Sequence, residues 1–319
     1  MGLRAAKAFT GRPKVAKVEG AYHGNADPIE VSVAPSPKDW GEASAPATVA
    51  ATQGITEGVL QDTVVLPFND VAASRALIEQ HRHELAVVVV DPVVSRMGFV
   101  QATRDYLEML REVTERHGIL LMFDEVFSFR LGYHGAQGEV GVIPDITSLG
   151  KIIGGGLPVG ATGGRSDVME VFDQTRKPLR VEHGGTYNAN PMTMAAGLAA
   201  MRQMTPDAYR RLSALGDRLR EGITAAMRDN GLPGRVHGVA SMVAMIFNDA
   251  PFSDYRSMPL RRREADMVYA LHRYLLNHGV TIIPHGLMLL STPMTNDDID
   301  QTIAAMSAGM KELAGAMSA

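Results

Sequence analysis

Cysteine is absent from the 319-residue sequence, which excludes disulfides and thiolate metal sites. That absence fits a cytosolic protein. Charge of one sign is scarce too. A net charge of −4 offers no footing for nucleic acid or an anionic membrane. Long apolar runs are missing, since the longest aliphatic stretch, Leu85 to Val90, is far too short to span a bilayer. Met1 to Lys7 lacks the apolar centre of a signal peptide, and Ala6 breaks the myristoylation pattern. A soluble, cytoplasmic chain with no nucleic-acid or membrane partner is expected. Several catalytic motifs are also wanting. Gly150-Lys151 has Asp145 and Ile152 where a nucleotide P-loop needs glycine and Ser or Thr. His81 to Glu84 is followed by Val87 rather than the second histidine of a zinc protease, and no metal site is expected. No Gly-x-Ser-x-Gly elbow supports a serine hydrolase.

What is present suits a soluble globular enzyme, with 45% hydrophobic and 21% charged residues. The length allows two domains. Residues 1 to 10 read as the tail of a helix broken at Gly11-Arg12-Pro13, and Val15 to Glu19 as a short strand. Residues 33 to 62 form a long Ala/Pro/Ser/Gly/Thr-rich excursion of the kind that often carries function. Strand candidates then alternate with helices. The strands are Thr63–Pro67, Leu85–Asp91, Ile119–Phe123, Ile146–Leu149 and Val159–Thr162, and the helices are Val71–His83 and Thr103–His117. That order predicts a mostly parallel sheet flanked by helices. Helices follow over Met192–Met204 and from Pro206 to Arg228. A strand over Val239–Phe247, a helix over Arg261–Asn277 and short strands at Val280–Ile283 and Leu287–Leu290 come next. Thr295 to Asp298 resembles a capping box for the last helix. The expected division is a large domain over 1–205 and a smaller α/β domain over 206–319.

Asp124 and Lys151 carry the chemistry. Asp124 closes the apolar run Ile119 to Phe123, which places a carboxylate at the C-terminal end of a buried parallel strand. Open α/β sheets bind ligands at those ends. Lys151 follows Ser148-Leu149-Gly150 and opens onto Gly154-Gly155-Gly156. Alone, Asp124 reads as a helix cap, Lys151 as a solvated lysine, and Tyr22-His23-Gly24 as a loop cluster. Together, one acid and one amine at a sheet edge suit a pyridine-aldehyde cofactor, with the lysine forming an imine and the acid keeping the ring nitrogen protonated.

Three segments carry a resemblance that covers nearly the whole chain: Ile119 to Val126, Pro144 to Gly160, and Gly184 to Pro191. The sequence resembles the class III aminotransferases, pyridoxal 5'-phosphate enzymes of fold type I, near glutamate-1-semialdehyde aminomutase and the β-amino-acid aminotransferases. The resemblance implies that Lys151 is the Schiff-base lysine and that Asp124 pairs with the pyridine nitrogen. Val126 would pack on one ring face and Tyr22 would stack on the other. His23 would lie beside Tyr22 among the cofactor-binding residues, and Thr186 would bind the cofactor phosphate of a partner subunit. It also implies a homodimer with active sites at the interface, and ping-pong kinetics on amine or amino-acid and carbonyl substrates.

Departures from the family matter as well. The chain begins after the Gly-Ser/Thr-Glu-Ala turn that grips the phosphate, and without the family's N-terminal arm, so a shortened homologue with weak cofactor retention is expected. His285-Gly286-Leu287-Met288 stands where the aminomutase branch has Phe-Glu-Ala and the β-amino-acid branch has Arg-Gly. His285 is a poorer carboxylate clamp than arginine. His183 to Asn188 is closer to the β-amino-acid branch, and Asp91 replaces a common glutamate before proline. The expected function is amino transfer from an amine or β-amino acid to a keto acid or aldehyde. The alternatives are glutamate-1-semialdehyde 2,1-aminomutase and an inactive or partner-dependent shortened homologue.

Overall fold

The computed structural model describes residues 1–259 and 262–318, the side chains of 317 and 318 excepted. The chain divides into two compact units, and each is described separately. One comprises residues 1–96, 102–203 and 254–256, and the other 97–101, 204–253 and 257–319.

The first unit is built on a six-stranded sheet. Its strands are β1 (Lys14–Val18), β2 (Thr63–Leu66), β3 (Leu85–Val90), β4 (Leu120–Asp124), β5 (Ile146–Gly150) and β6 (Gly160–Gly164). They lie in the order β6-β5-β4-β3-β1-β2, and only the β5–β6 pair is antiparallel. The central strands β3 and β4 are buried along their whole lengths, as the unbroken Val and Leu runs require. Edge strand β6 instead carries Gly160, Gly163 and Gly164, and its neighbour β5 is only partly buried.

Helices cover the sheet where the periodicity predicts them. The helix Arg104–His117 buries Tyr106, Leu107, Leu110 and Val113 on one stripe. Its Thr103 cap accepts the Tyr106 N–H at 3.3 Å, and Gly118 ends it in the left-handed conformation. The opening helix runs Gly2–Thr10, and its Ala5 and Ala6 are fully buried. The helix expected over Val71–His83 stops at Gln80. Helix Pro191–Gln203 lies against the short 3-10 turn Lys151–Gly154. Two glycines permit that approach. A Cβ on Gly197 would stand 2.2 Å from the Ile153 carbonyl oxygen, and one on Gly155 would stand 2.3 Å from that of Ala196.

The second unit holds a three-stranded antiparallel sheet: β7 (Arg235–Val239), β8 (Met242–Ile246) and β9 (Leu287–Leu289). Two sequence expectations are corrected here. The strand expected over Val239–Phe247 is confined to Met242–Ile246 and is the second arm of a hairpin, because Gly238 and Ala240 take positive φ and turn the chain ahead of it. Val280–Ile283 forms no strand. The Ile283 N–H donates to Leu287 O and the Gly286 N–H to Ile283 O, so a local turn uses these groups. The helices here are Pro206–Asp229, Arg262–Asn277 and Asn296–Ser318. The expected start of the second, Arg261, lies outside the described residues. The capping box forms reciprocally, with the Thr295 N–H donating to Asp298 Oδ2 at 2.7 Å and the Asp298 N–H to Thr295 Oγ1 at 3.3 Å.

Candidate active site

Four elements of the first unit end at one edge of its sheet. Strand β4 delivers Asp124, strand β5 delivers Lys151, strand β3 delivers Asp91, and the loop after β1 delivers Tyr22 and His23. Parallel strands place these groups together, because their C-terminal ends point the same way.

Asp124 is buried, and its carboxylate is fully engaged on one side. Its Oδ2 accepts from His23 Nδ1 at 2.8 Å. Its Oδ1 accepts from the Val126 N–H at 3.0 Å and the Ser148 hydroxyl at 3.3 Å. Burial alone would push the pKa up. The His23 bond and charge, the Val126 N–H and the Lys151 charge outweigh it and hold the carboxyl below its ordinary range. An ionised carboxylate offers roughly four acceptor positions, so about one stays open for a further donor. His23 must carry its proton on Nδ1 to serve an acceptor-only partner. Its Nε2 is buried without a hydrogen-bond partner.

Lys151 opens the 3-10 turn Lys151–Gly154 with a φ of 48°, a left-handed conformation uncommon for a residue with a side chain. The residue is exposed, yet its amine sits over the Phe127 ring at 3.5 Å from the centroid. Burial lowers the lysine pKa, and the charges of Asp124 and Asp91 only partly restore it. The result is an amine that gives up its proton more readily than a solvated lysine.

Asp91 stands beside Asp124. Val90 pairs with Phe123, so the next residues along β3 and β4 emerge side by side. Asp91 accepts from the Val93 N–H at 2.9 Å and bonds Ser128. Burial, then the Asp124 charge, push its carboxyl well above the ordinary aspartate value. Of two adjacent acids, Asp124 is therefore the stronger and Asp91 the weaker.

The other expected site residues divide. Val126 lies close to Gly150, the residue before Lys151; a Cβ on Gly150 would meet Val126 Cγ1 at 3.4 Å. Tyr22 is exposed, and its hydroxyl donates to Asn25 Oδ1 at 2.7 Å. Thr186 sits on an exposed turn and is not part of the cluster around Asp124. Three groups here do not stand out in the sequence as site residues: Phe127 beneath the amine, and Ser148 and Ser128 on the two acids. Phe127 follows Asp124 by three residues, and Ser148 precedes Lys151 by three, so proximity to the motif is the one available signal. The residues present fit a pyridine-aldehyde group. An anchored anion with acceptor capacity left and an amine of lowered basicity share one sheet edge.

Comparison with known proteins agrees. Residues 2–309 match the family model for class III aminotransferases. Glutamate-1-semialdehyde 2,1-aminomutase 2 of Bacillus licheniformis is 37% identical over 95% of this chain and 68% of its own length. An omega-transaminase of Sphaerobacter thermophilus superposes with a TM-score of 0.93 at 45% identity, covering 97% of this chain and 70% of that one. A β-phenylalanine aminotransferase of Variovorax paradoxus gives a TM-score of 0.81 at 36% identity, over 96% of this chain and 66% of that one. A matched family model, a shared fold type I architecture and a carboxylate–amine pair at the expected strand ends have one meaning: the chain belongs to the class III aminotransferases, pyridoxal-phosphate-dependent enzymes.

Proposed function

We infer that the chain is a transaminase that moves an amino group from an amine or β-amino acid to a keto acid or aldehyde. The anchored Asp124 anion, at the same sheet edge as the Lys151 amine of lowered pKa, carries the reading. In it, residues 1–205 form the cofactor-binding domain and 206–319 a smaller one. Lys151 would hold the cofactor covalently. Asp124 would serve the ring nitrogen, Val126 and Tyr22 would bound the ring, and His23 orients Asp124. Thr186 serves the phosphate of a partner subunit in a cytoplasmic homodimer. The exposed turn that carries Thr186 is compatible with reaching a second subunit.

When bound, pyridoxal phosphate supplies an electron-withdrawing ring for charge developing at the substrate Cα. The chain's own groups do the rest. Asp124 would present a negative charge to the ring nitrogen, and His23, Val126 and Ser148 stop that charge from rotating away. Lys151 Nζ holds the proton taken from Cα and returns it, a task suited to an amine with a lowered pKa. The Phe127 ring under Nζ restricts where the amine can swing.

The aminomutase named in Bacillus licheniformis supports a second reading, an internal shift of the amino group. His285-Gly286-Leu287-Met288 in place of the aminomutase tail motif weighs against it. The loaded protein is incubated with pyruvate and a panel of amines and β-amino acids. Alanine formation is the expected result. Isomerised product without alanine would support the aminomutase reading, and a protein that takes up no cofactor would support the inactive homologue.

A further inference from the structure

A cavity of about 430 Å³ opens on the Tyr22 side of the site, within the first unit. Tyr22, Glu30, Ser32, Ser36, Asp39 and Arg96 are among the residues that line it. It is formed largely by the excursion that begins at residue 33, the segment whose length and composition suggest function. Among the described residues, Arg96 is the only basic one in its wall.

Arg96 is placed for recognition. Its guanidinium lies 6.0 Å from the centroid of the Tyr22 ring, within cation–π reach. No carboxylate among the described residues lies within ion-pair distance of it, although Glu30 and Asp39 share its cavity. The nearby Arg256 differs, being spent on Glu19 at 2.7 Å and on the backbone carbonyls of Trp40 and Gly41. Position 96 also connects to the reacting groups. It follows the buried Asp91 by five residues, and the Tyr22 ring it faces precedes His23, the partner of Asp124. A guanidinium binds a carboxylate through two parallel N–H donors, a geometry that His285 cannot offer.

We propose that Arg96 binds the carboxylate of the amino donor, which makes the preferred substrate a monocarboxylate whose acid group lies on the Tyr22 side of the site. Glu30 and Asp39 add the second half of the selectivity. Both carboxylates line the same cavity without pairing to Arg96, and their charge repels a second acid group, so dicarboxylates are disfavoured relative to β-amino monocarboxylates. The inference deepens the transaminase reading and rests on it for the identity of the donor.

The test compares wild type with Arg96→Ala and Arg96→Lys as cofactor-loaded proteins. The donors are 3-amino-3-phenylpropanoate and 1-phenylethylamine, which are told apart by the acid group. Calorimetry with 3-phenylpropanoate and its carboxamide measures binding without turnover. Arg96→Ala is expected to raise KM for the amino acid by about tenfold to a hundredfold, as loss of a charge-assisted contact implies. KM for the amine and the affinity for cofactor stay unchanged, and 3-phenylpropanoate binding weakens in parallel. Arg96→Lys recovers only part of the loss. An equal effect on both donors, or lost cofactor affinity with donor preference intact, overturns the assignment. If wild type transfers no amino group yet binds 3-phenylpropanoate through Arg96, the carboxylate site stands and the transaminase reading falls. Transfer from both donors with no dependence on Arg96 overturns the carboxylate site and leaves the transaminase reading standing. Neither transfer nor binding removes both.

Discussion

At the residue scale, the site depends on how its acids share charge. Asp124 is anionic because His23, Val126 and Ser148 supply donors, and removing the strongest of these has a direction. With His23 replaced by Ala, the Asp124 pKa rises toward and past its ordinary value. The acidic limb of the kcat/KM profile should move to higher pH, read by turnover across a buffer series; an unmoved limb would contradict the role of His23. Replacing Asp124 with Asn keeps the shape and removes the charge. Amino transfer should fall by about 10²–10³-fold, the scale seen when one electrostatic stabiliser is lost. Spectral uptake of cofactor should persist. Lys151→Ala should abolish the covalent absorbance band altogether. Asp124 and Lys151 are legible in the sequence because each sits beside a marked element, an apolar run or a glycine cluster. Arg96 and Phe127 are not. An arginine in a loop and a phenylalanine after a strand carry no pattern until the fold brings them to Tyr22 and Lys151.

At the element scale, β1 contains a lysine that the alternation of a surface strand does not explain. Lys17 is fully buried and donates to Ala21 O at 2.6 Å and Val31 O at 2.7 Å, clamping both ends of the loop that carries Tyr22 and His23. Burial lowers its pKa to about 7. The unfolded chain therefore binds that proton more tightly than the native one. Stability contributed by this residue is lowest below about pH 7 and rises with pH toward the ordinary lysine value of 10.5. Urea midpoints measured across that window should climb in wild type, and the climb should be absent in Lys17→Met whatever its absolute stability. The turn bearing Lys151 gives a second prediction. Gly197→Ala would press a methyl onto the Ile153 carbonyl. A loss of about 1–3 kcal/mol is expected, measured by thermal unfolding. Most elements are legible because apolar runs, caps and glycines mark them. The β7–β8 hairpin is not, because Ala240 turns the chain without a turn residue's signature. The apolar stretch at Val280–Ile283 has the composition of a strand, but its hydrogen bonds close locally.

At the scale of the whole molecule, the first unit leaves several large apolar side chains in water. Tyr187 is 83% exposed, Met192 74% and Leu198 53%, all on the turn and helix that follow Thr186. Scattered exposed leucines are ordinary, but apolar residues grouped on one segment mark an interaction face. Sedimentation should give a dimer, and Leu198→Glu should shift it toward monomer. A wild-type monomer at every concentration would remove Thr186 from the proposed site, because its role needs a second subunit. That role is legible only through family resemblance, since the groups it would meet belong to another copy of the chain.

The paired strand ends of β3 and β4 have one more consequence. Two acids stand side by side at that sheet edge, and Asp91 is the more readily protonated of them. On acidification Asp91 loses its charge before Asp124 does, so the repulsion of a negatively charged guest approaching the Lys151 amine eases in two steps rather than one.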